Sequence, residues 1–224
     1  MRLPASRAPL IELVGLAGAG KTSSLRALGQ RDPAILPDVH ISTLSYVRDV
    51  PSLLPIFAGM HRPWRSLLRK EMKRVLHLTT LQRRVAEIRC AEHRPIVLDE
   101  GPVYMLARLL FLGGDRLRGG TFEQWWRTAI ADWAQALDLI VWLQADTPAL
   151  IERIRTRRGR PPIRDLSDRA LDEFLCGYST CYRRVVDELT AKKMGPRLLT
   201  IDTGQRSINV VADQILATVS AKAA

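Results

Sequence analysis

The sequence predicts an α/β fold, a three-layer αβα sandwich around a five-stranded parallel sheet. Three observations predict it. Five short apolar segments alternate with helical patterns. The stretches between them are long enough for crossover helices. The first segment also runs into a glycine-rich loop followed at once by a helical pattern, the order of a parallel strand–loop–helix unit.

Taken in order, the predicted strands are Leu10–Val14 and residues 34–36, 96–98, 139–143 and 198–201. Their lengths and β-branched content fit strands covered on both faces. The segment SSLRALG (23–29) reads as the helix after the first strand. The clearest helical period spans 64–88, where Trp64, Leu67, Leu68, Met72, Val75, Leu78, Leu81, Val85 and Ile88 recur at three- to four-residue steps. Its other face carries Arg65, Arg69, Lys70, Lys73, Arg74, Arg83 and Arg84. Residues 122–137 and 171–189 read as two further helices. Glycine and proline punctuate at 51–63, 111–121 and 158–162. Neither a repeat nor a linker composition interrupts the pattern, so residues 1–224 are read as a single domain.

The 224 residues suffice for one substantial core. No apolar run approaches the roughly 18 residues of a membrane-spanning helix. The start, MRLPASRAP, leads straight into the first strand, so no signal peptide is expected. Cys90, Cys176 and Cys181 form no CxxC pair and are odd in number. Buried free thiols and a cytoplasmic setting are therefore expected. Trp64, Trp125, Trp126 and Trp133 are candidate base-stacking platforms, but their helical spacing favours the core. The net charge of +11 suits polyanionic ligands, or equally a solvated basic surface.

The loop carries the sharpest chemistry. Gly15-Leu16-Ala17-Gly18-Ala19-Gly20-Lys21-Thr22 matches G-x-x-x-x-G-K-[ST] at every fixed position. Glycines let a phosphate approach the backbone, and successive N–H groups form an anion nest at a helix N-terminus. Gly15, Gly18, Ala19, Gly20, Lys21, Thr22 and Ser23 are thus the expected ATP-binding residues. Lys21 reaches the β- and γ-phosphates, and the Thr22 hydroxyl ligates Mg²⁺. The fold class narrows to the P-loop NTPase form of the sandwich.

A partner acid is expected at the end of a second buried strand. RPIVLDEGP (94–102) supplies Asp99 as the Mg²⁺ residue, directly or through water. Glu100 is a candidate general base, a water-orienting group or simply the start of the next helix. Asp38, in Pro37-Asp38-Val39-His40, is either the base that activates an acceptor hydroxyl or a turn residue. Downstream, Arg153, Arg155, Arg157, Arg158 and Arg160 fall within eight residues after a strand and a short turn. Arg153 and Arg157 share one helical face, so two guanidinium groups can converge on a transferring phosphoryl group. An exposed basic helix is the alternative.

With these motifs on the page, the chain resembles the P-loop nucleoside and nucleotide kinases, the thymidylate kinase and deoxynucleoside kinase branch in particular. The residues that carry the resemblance are the 15–22 loop, the DEG strand end and the L-x-A-x-x-P-x-x-L-x-x-R-I-x-x-R pattern from Leu143 to Arg157. Tyr178, Tyr182 and LLTIDTGQRSINVVADQI continue it. The resemblance implies MgATP as co-substrate and an arginine-rich lid over about 153–170, with Arg153, Arg157 and Arg160 in it. It also implies that the loop holding Asp202 and Thr203 passes near the adenine. By contrast, the arginine those families carry after the third strand is missing, because that strand ends Asp99-Glu100-Gly101.

The expected function is transfer of the γ-phosphoryl group of MgATP to a small acceptor, a nucleoside or a nucleoside monophosphate. No N/T-K-x-D motif or LSGGQ-like signature points to a GTPase or a transporter ATPase. Residues 62–94 carry ten Lys or Arg against three Glu. They are candidates for binding an already phosphorylated acceptor, nucleic acid or an anionic membrane. The alternative function is a nucleotide-dependent switch that acts on a partner through this basic helix. A homodimer is compatible with the sequence.

Overall fold

The computed structural model describes residues 7–59, 66–113, 120–157 and 163–220. Strands β1 (Leu10–Val14), β2 (Leu36–Pro37), β3 (Ile96–Leu98), β4 (Leu139–Gln144) and β5 (Arg197–Asp202) form one parallel sheet, ordered β2-β3-β1-β4-β5. The register pairs Leu10 with Ile96 on one side of β1 and Ile11 with Leu139 on the other. The helices are α1 (Lys21–Arg31), α2 (Thr43–Gly59), α3 (Ser66–Ala91), α4 (Pro102–Gly113), α5 (Gly120–Ala136), α6 (Thr147–Thr156), α7 (Asp168–Thr190) and α8 (Ile208–Ser220).

Strand alternation divides the core in two. Leu10 and Val14 of β1 pack with Val75, Leu78 and Leu81 of α3, Leu106 and Leu109 of α4, and Trp126 and Trp133 of α5. Ile11 and Leu13 point the other way, toward Leu25 and Leu28 of α1, Leu150 and Ile154 of α6, and Val211 and Ile215 of α8. Each such buried aliphatic side chain contributes about 1.5–3 kcal/mol. Where β1 enters the sheet, Asp138 accepts from the Leu10 amide at 2.9 Å and pairs with Arg89 at 2.5 Å. Arg89 also donates to the carbonyls of Ala8 and Ala136, so one guanidinium fixes the start of β1 against the end of α5.

The structure corrects two sequence expectations here. Residues 51–59 are not a proline-punctuated loop but the second half of α2. Pro51 supplies no N–H, yet the helix continues through it because α3 anchors it. Arg83 clasps Asp49 with Nε at 3.0 Å and donates to the Ser45 carbonyl at 3.1 Å. The cysteines also differ: Cys90 and Cys176 are exposed, and only Cys181 packs partly against the core. Trp126 and Trp133 are core residues and Trp125 leans on Phe122, whereas Trp64 lies outside the described residues. Among the described residues no helix is long and apolar enough to cross a membrane.

Candidate active site

The phosphate-binding loop forms where β1 ends and α1 begins. Gly15 is required because a Cβ there would fall 2.5 Å from the Leu143 carbonyl of β4. Gly18 takes φ +85° with no room beside the Leu150 carbonyl of α6, where a Cβ would stand 2.9 Å away. The loop is thus wedged between β4 and α6, and its shape is set by both.

Lys21 folds back over this loop, donating to the carbonyls of Gly15 at 2.8 Å and Leu16 at 3.3 Å. Burial pushes its pKa down, while the charges of Asp99 and Glu100 pull it up. Because β3 lies directly beside β1, the end of β3 meets the start of α1. There the Thr22 hydroxyl donates to Asp99 Oδ2 at 2.6 Å. Asp99 is buried, and its other oxygen, Oδ1, finds no partner among the described residues. A hydroxyl and a carboxylate with a spare buried oxygen fit a hard divalent cation such as Mg²⁺, which takes oxygen ligands.

Asp38, at φ +61°, lies next to this group and accepts weakly from the Asp99 amide at 3.4 Å. Partial desolvation of its carboxyl raises its pKa, and the Asp99 charge adds to that. Glu100 is open to solvent at the rim. Desolvation first, then Asp99, raises its pKa against the pull of Arg108 and Lys21.

On the far side of the loop, a cavity of about 570 Å³ is lined by Lys21, Thr22, Ser23, Arg153, Arg157, Thr203 and Arg206, among others. Arg153 is not loose in it. It donates to the carbonyls of Gly18 at 3.3 Å and Thr203 at 2.8 Å. The Thr203 hydroxyl in turn donates to the Gln144 carbonyl at 2.9 Å. Arg157 ends α6 and is exposed. Asp202 instead lines a second cavity, of about 800 Å³, between β4 and α7, and its carboxylate accepts from the Gly204 amide. Arg155 points away, bonding the carbonyls of Arg164 and Leu166 and the carboxylate of Asp168. Arg160 and Arg158 lie outside the described residues. The segment expected to form a lid is therefore described only at its two ends: the close of α6 and the entry to α7.

Among the described side chains of the basic segment, most of the cations are engaged within the fold. Arg83 and Arg84 bind Glu87, Arg74 binds Glu71, Arg89 binds Asp138, and Arg94 donates to the carbonyls of Pro33 and Ala34. Lys70 and Lys73 are exposed.

Several polar residues at the site's edge escaped sequence reasoning. Glu12, wholly buried in the middle of β1, accepts from the amides of Val103 and Tyr104 at 2.9 Å each and so caps α4. Burial raises its pKa to about 8 in spite of those two bonds. Arg108 of α4 donates to the Tyr104 hydroxyl and stacks 5.6 Å from its ring centre. Beside it are Arg74 with Glu71 from α3, and Tyr178 from α7. The available signal was one charged residue inside an otherwise apolar element: Glu12 in LIELV, Arg108 in PVYMLARLLFLG.

The family described as AAA domain matches residues 10–181. The structure is similar to thymidylate kinase from Candida albicans, at 16% identity and TM-score 0.54 over 96% of this chain and 92% of that one. Deoxyadenosine kinase from M. mycoides with bound dATP is similar at 15% identity and TM-score 0.56, over 94% and 99%. The YorR protein of Bacillus subtilis, in complex with phosphorylated GDP, is similar at 15% identity and TM-score 0.50, over 95% and 96%. No curated protein matches the sequence.

Proposed function

Given that the chain belongs to the AAA domain family and has the P-loop kinase fold, we propose that it transfers the γ-phosphoryl group of MgATP to a small acceptor, a nucleoside or nucleoside monophosphate. One observation carries the reading. The Thr22–Asp99 pair, with its spare carboxylate oxygen, stands at the mouth of the loop beside two carboxyl groups of raised pKa, Asp38 and Glu100. A nucleotide-holding loop alone serves many purposes, whereas candidate bases beside its metal residues serve group transfer.

In this reading the loop N–H groups and Lys21 hold the triphosphate. Lys21 exchanges its two carbonyl partners for phosphate oxygens, a charge-assisted and stronger pairing. Thr22 and Asp99 would hold Mg²⁺, which would neutralise charge on the phosphates. Arg153 keeps the loop in shape against Thr203, and Arg157 offers positive charge to the transferring group. For a hydroxyl acceptor, Asp38 or Glu100 takes the proton, the acceptor oxygen bonds to the γ-phosphorus, and the bond to the β–γ bridging oxygen breaks to leave ADP. Arg160, Asp202 and Thr203 remain assigned to the nucleotide by resemblance. A nucleic-acid or membrane role draws on fewer charges than the sequence counts, since five arginines of the basic segment have internal partners.

The test is ADP release from MgATP, screened against nucleosides, nucleoside monophosphates, sugars and small alcohols. One acceptor class should stimulate release, and Lys21→Ala should lose at least about a hundredfold. Nucleotide binding without turnover under any acceptor would sink the kinase reading and favour a switch.

A further inference from the structure

The cavity of about 800 Å³ that Asp202 lines has no part in the phosphate chemistry, yet Leu16 and Ala19 of the loop line it too. It lies where β4 and β5 end, against α7. Parallel sheets of this kind take ligands in crevices outside the carboxyl ends of their strands, and the volume is that of a small-molecule site. Asp38 and Glu100 follow β2 and β3, on the opposite side of β1, so this is not the side on which they can meet an acceptor.

Two residues of its wall are almost wholly buried and carry polar groups that the fold leaves unused. Trp142 is 9% exposed and Tyr182 is 2% exposed. A buried indole N–H or phenol hydroxyl ordinarily finds an acceptor. Neither has a hydrogen-bond partner among the described residues, and neither is sealed off, because both residues line the cavity. Half-buried Ser179 of α7 adds a third hydroxyl without a partner among the described residues.

Charge decides what these donors can take. Asp146, Asp172 and Asp202 line the cavity against one cation, Arg183. All four are exposed. Asp146 and Asp202 each accept one backbone amide through Oδ1, from Ala149 and Gly204, which leaves Oδ2 for another donor. On the far side of the loop the 570 Å³ cavity is lined by Lys21, Arg153, Arg157 and Arg206, with no carboxylate among its described lining. The loop therefore separates two cavities of opposite sign. A phosphate suits the second and is repelled from the first. The first fits a neutral molecule with a flat ring for the aromatic wall, acceptors for the buried donors, and hydroxyls for the carboxylates.

We propose that the cavity between β4, β5 and α7 is a second ligand site, which binds an unphosphorylated nucleoside. The base offers its ring and carbonyl oxygens to Trp142 and Tyr182, and the ribose hydroxyls donate to the rim carboxylates. The site does not depend on phosphoryl transfer, so ADP release, present or absent, leaves it standing.

Cys176 makes the test local, since it is exposed and lines this cavity, while Cys90 is exposed at another, between α3 and α5. The full chain is alkylated with iodoacetamide and the rate at each cysteine is read by mass spectrometry. At least one of adenosine, guanosine, cytidine and thymidine, at about 1 mM, should slow Cys176 about twofold or more and leave Cys90 unchanged, as half-filling of the site requires. Its 5′-monophosphate should protect about tenfold more weakly. Trp142→Phe keeps a ring and removes the N–H, so it should weaken protection roughly fivefold with MgATP affinity unchanged. Asp172→Asn, at an exposed position, should narrow the gap between nucleoside and monophosphate, and it decides if Trp142→Phe does not fold. Labelling of Cys176 that no nucleoside slows overturns the proposal, as does equal protection by the monophosphate or full protection in Trp142→Phe. Protection of Cys176 by MgATP overturns it too, because the cavity would then belong to the triphosphate.

Discussion

At Glu12 two demands meet. The carboxyl group caps α4 through two backbone amides, which favours the charged form, while complete burial in the sheet favours the neutral one. Burial is the larger, and the pKa rises from 4.5 to about 8. Gly101 is the companion of this arrangement, since a Cβ there would stand 2.7 Å from the Glu12 carboxyl carbon. The folded state thus holds a proton that the unfolded chain releases above pH 4.5. The resulting stabilisation is present in full below pH 4.5, declines as pH rises and is lost through about pH 8, with a slope on the order of 1 kcal/mol per pH unit. Thermal melts between pH 5 and 8.5 should show the midpoint falling with pH, and Glu12→Gln should flatten the curve. Asp38 and Glu100 shift in the same direction, so the difference between wild type and Glu12→Gln isolates the buried group. An unchanged pH dependence in that variant would show that Glu12 is ionised in the folded protein.

Helix α2 has one buried apolar side chain among those described and is tied to α3 by an ion pair. Leu53 is buried, whereas Leu44, Val47 and Leu54 are exposed. Arg83 of α3 supplies the anchor through Asp49 and the Ser45 carbonyl. Helix propensity opposes this segment at Pro51, so its persistence depends on that tertiary contact. Asp49→Ala should therefore speed amide hydrogen exchange across residues 43–59 while leaving α1 as protected as before. Equal acceleration in both helices would mean that α2 unfolds only with the whole domain. By comparison, α6 starts on its own signals, Asp146 capping the Ala149 amide with Pro148 in the first turn.

At the scale of the molecule, the loop is gripped from several sides at once. Asp99 reaches Thr22 from β3, Leu143 closes on Gly15 from β4, and Arg153 and Thr203 hold Gly18 and Ala19 from α6 and the end of β5. A ligand bound there is linked to the sheet and to α1 and α6, so its binding energy reports as global stability. MgATP at about 100 times its dissociation constant should stabilise the fold by about 2.7 kcal/mol, or roughly 5–10 °C in melting temperature for a chain of this size. Lys21→Ala should lose most of that gain. A melting temperature insensitive to MgATP in the wild type would contradict the nucleotide site itself.

The strands and the loop were legible because their signals are local. Apolar runs place β1, β3 and β4 within a residue of where they form, and G-x-x-x-x-G-K-T marks the loop by its own residues. Asp99 was legible for the same reason, as the acid closing an apolar run. The edge strands β2 and β5, with fewer neighbours, were read less sharply at their ends. What only the tertiary structure decided depends on partners distant in the chain. The charges of α3 looked like a free basic face, but Glu71 and Glu87 of the same helix pair with Arg74, Arg83 and Arg84, while Asp49 of α2 takes Arg83 and Asp138 with the Ala8 and Ala136 carbonyls takes Arg89. Pro51 looked like a loop, and a salt bridge from 34 residues away makes it helix. Glu12 and Arg108 looked like isolated charges in apolar elements. Packing gives one a helix to cap and leaves the other half-buried on the Tyr104 ring with its Nε unpartnered among the described residues, because burial and pairing are properties of the folded neighbourhood and are not written in any short stretch of sequence.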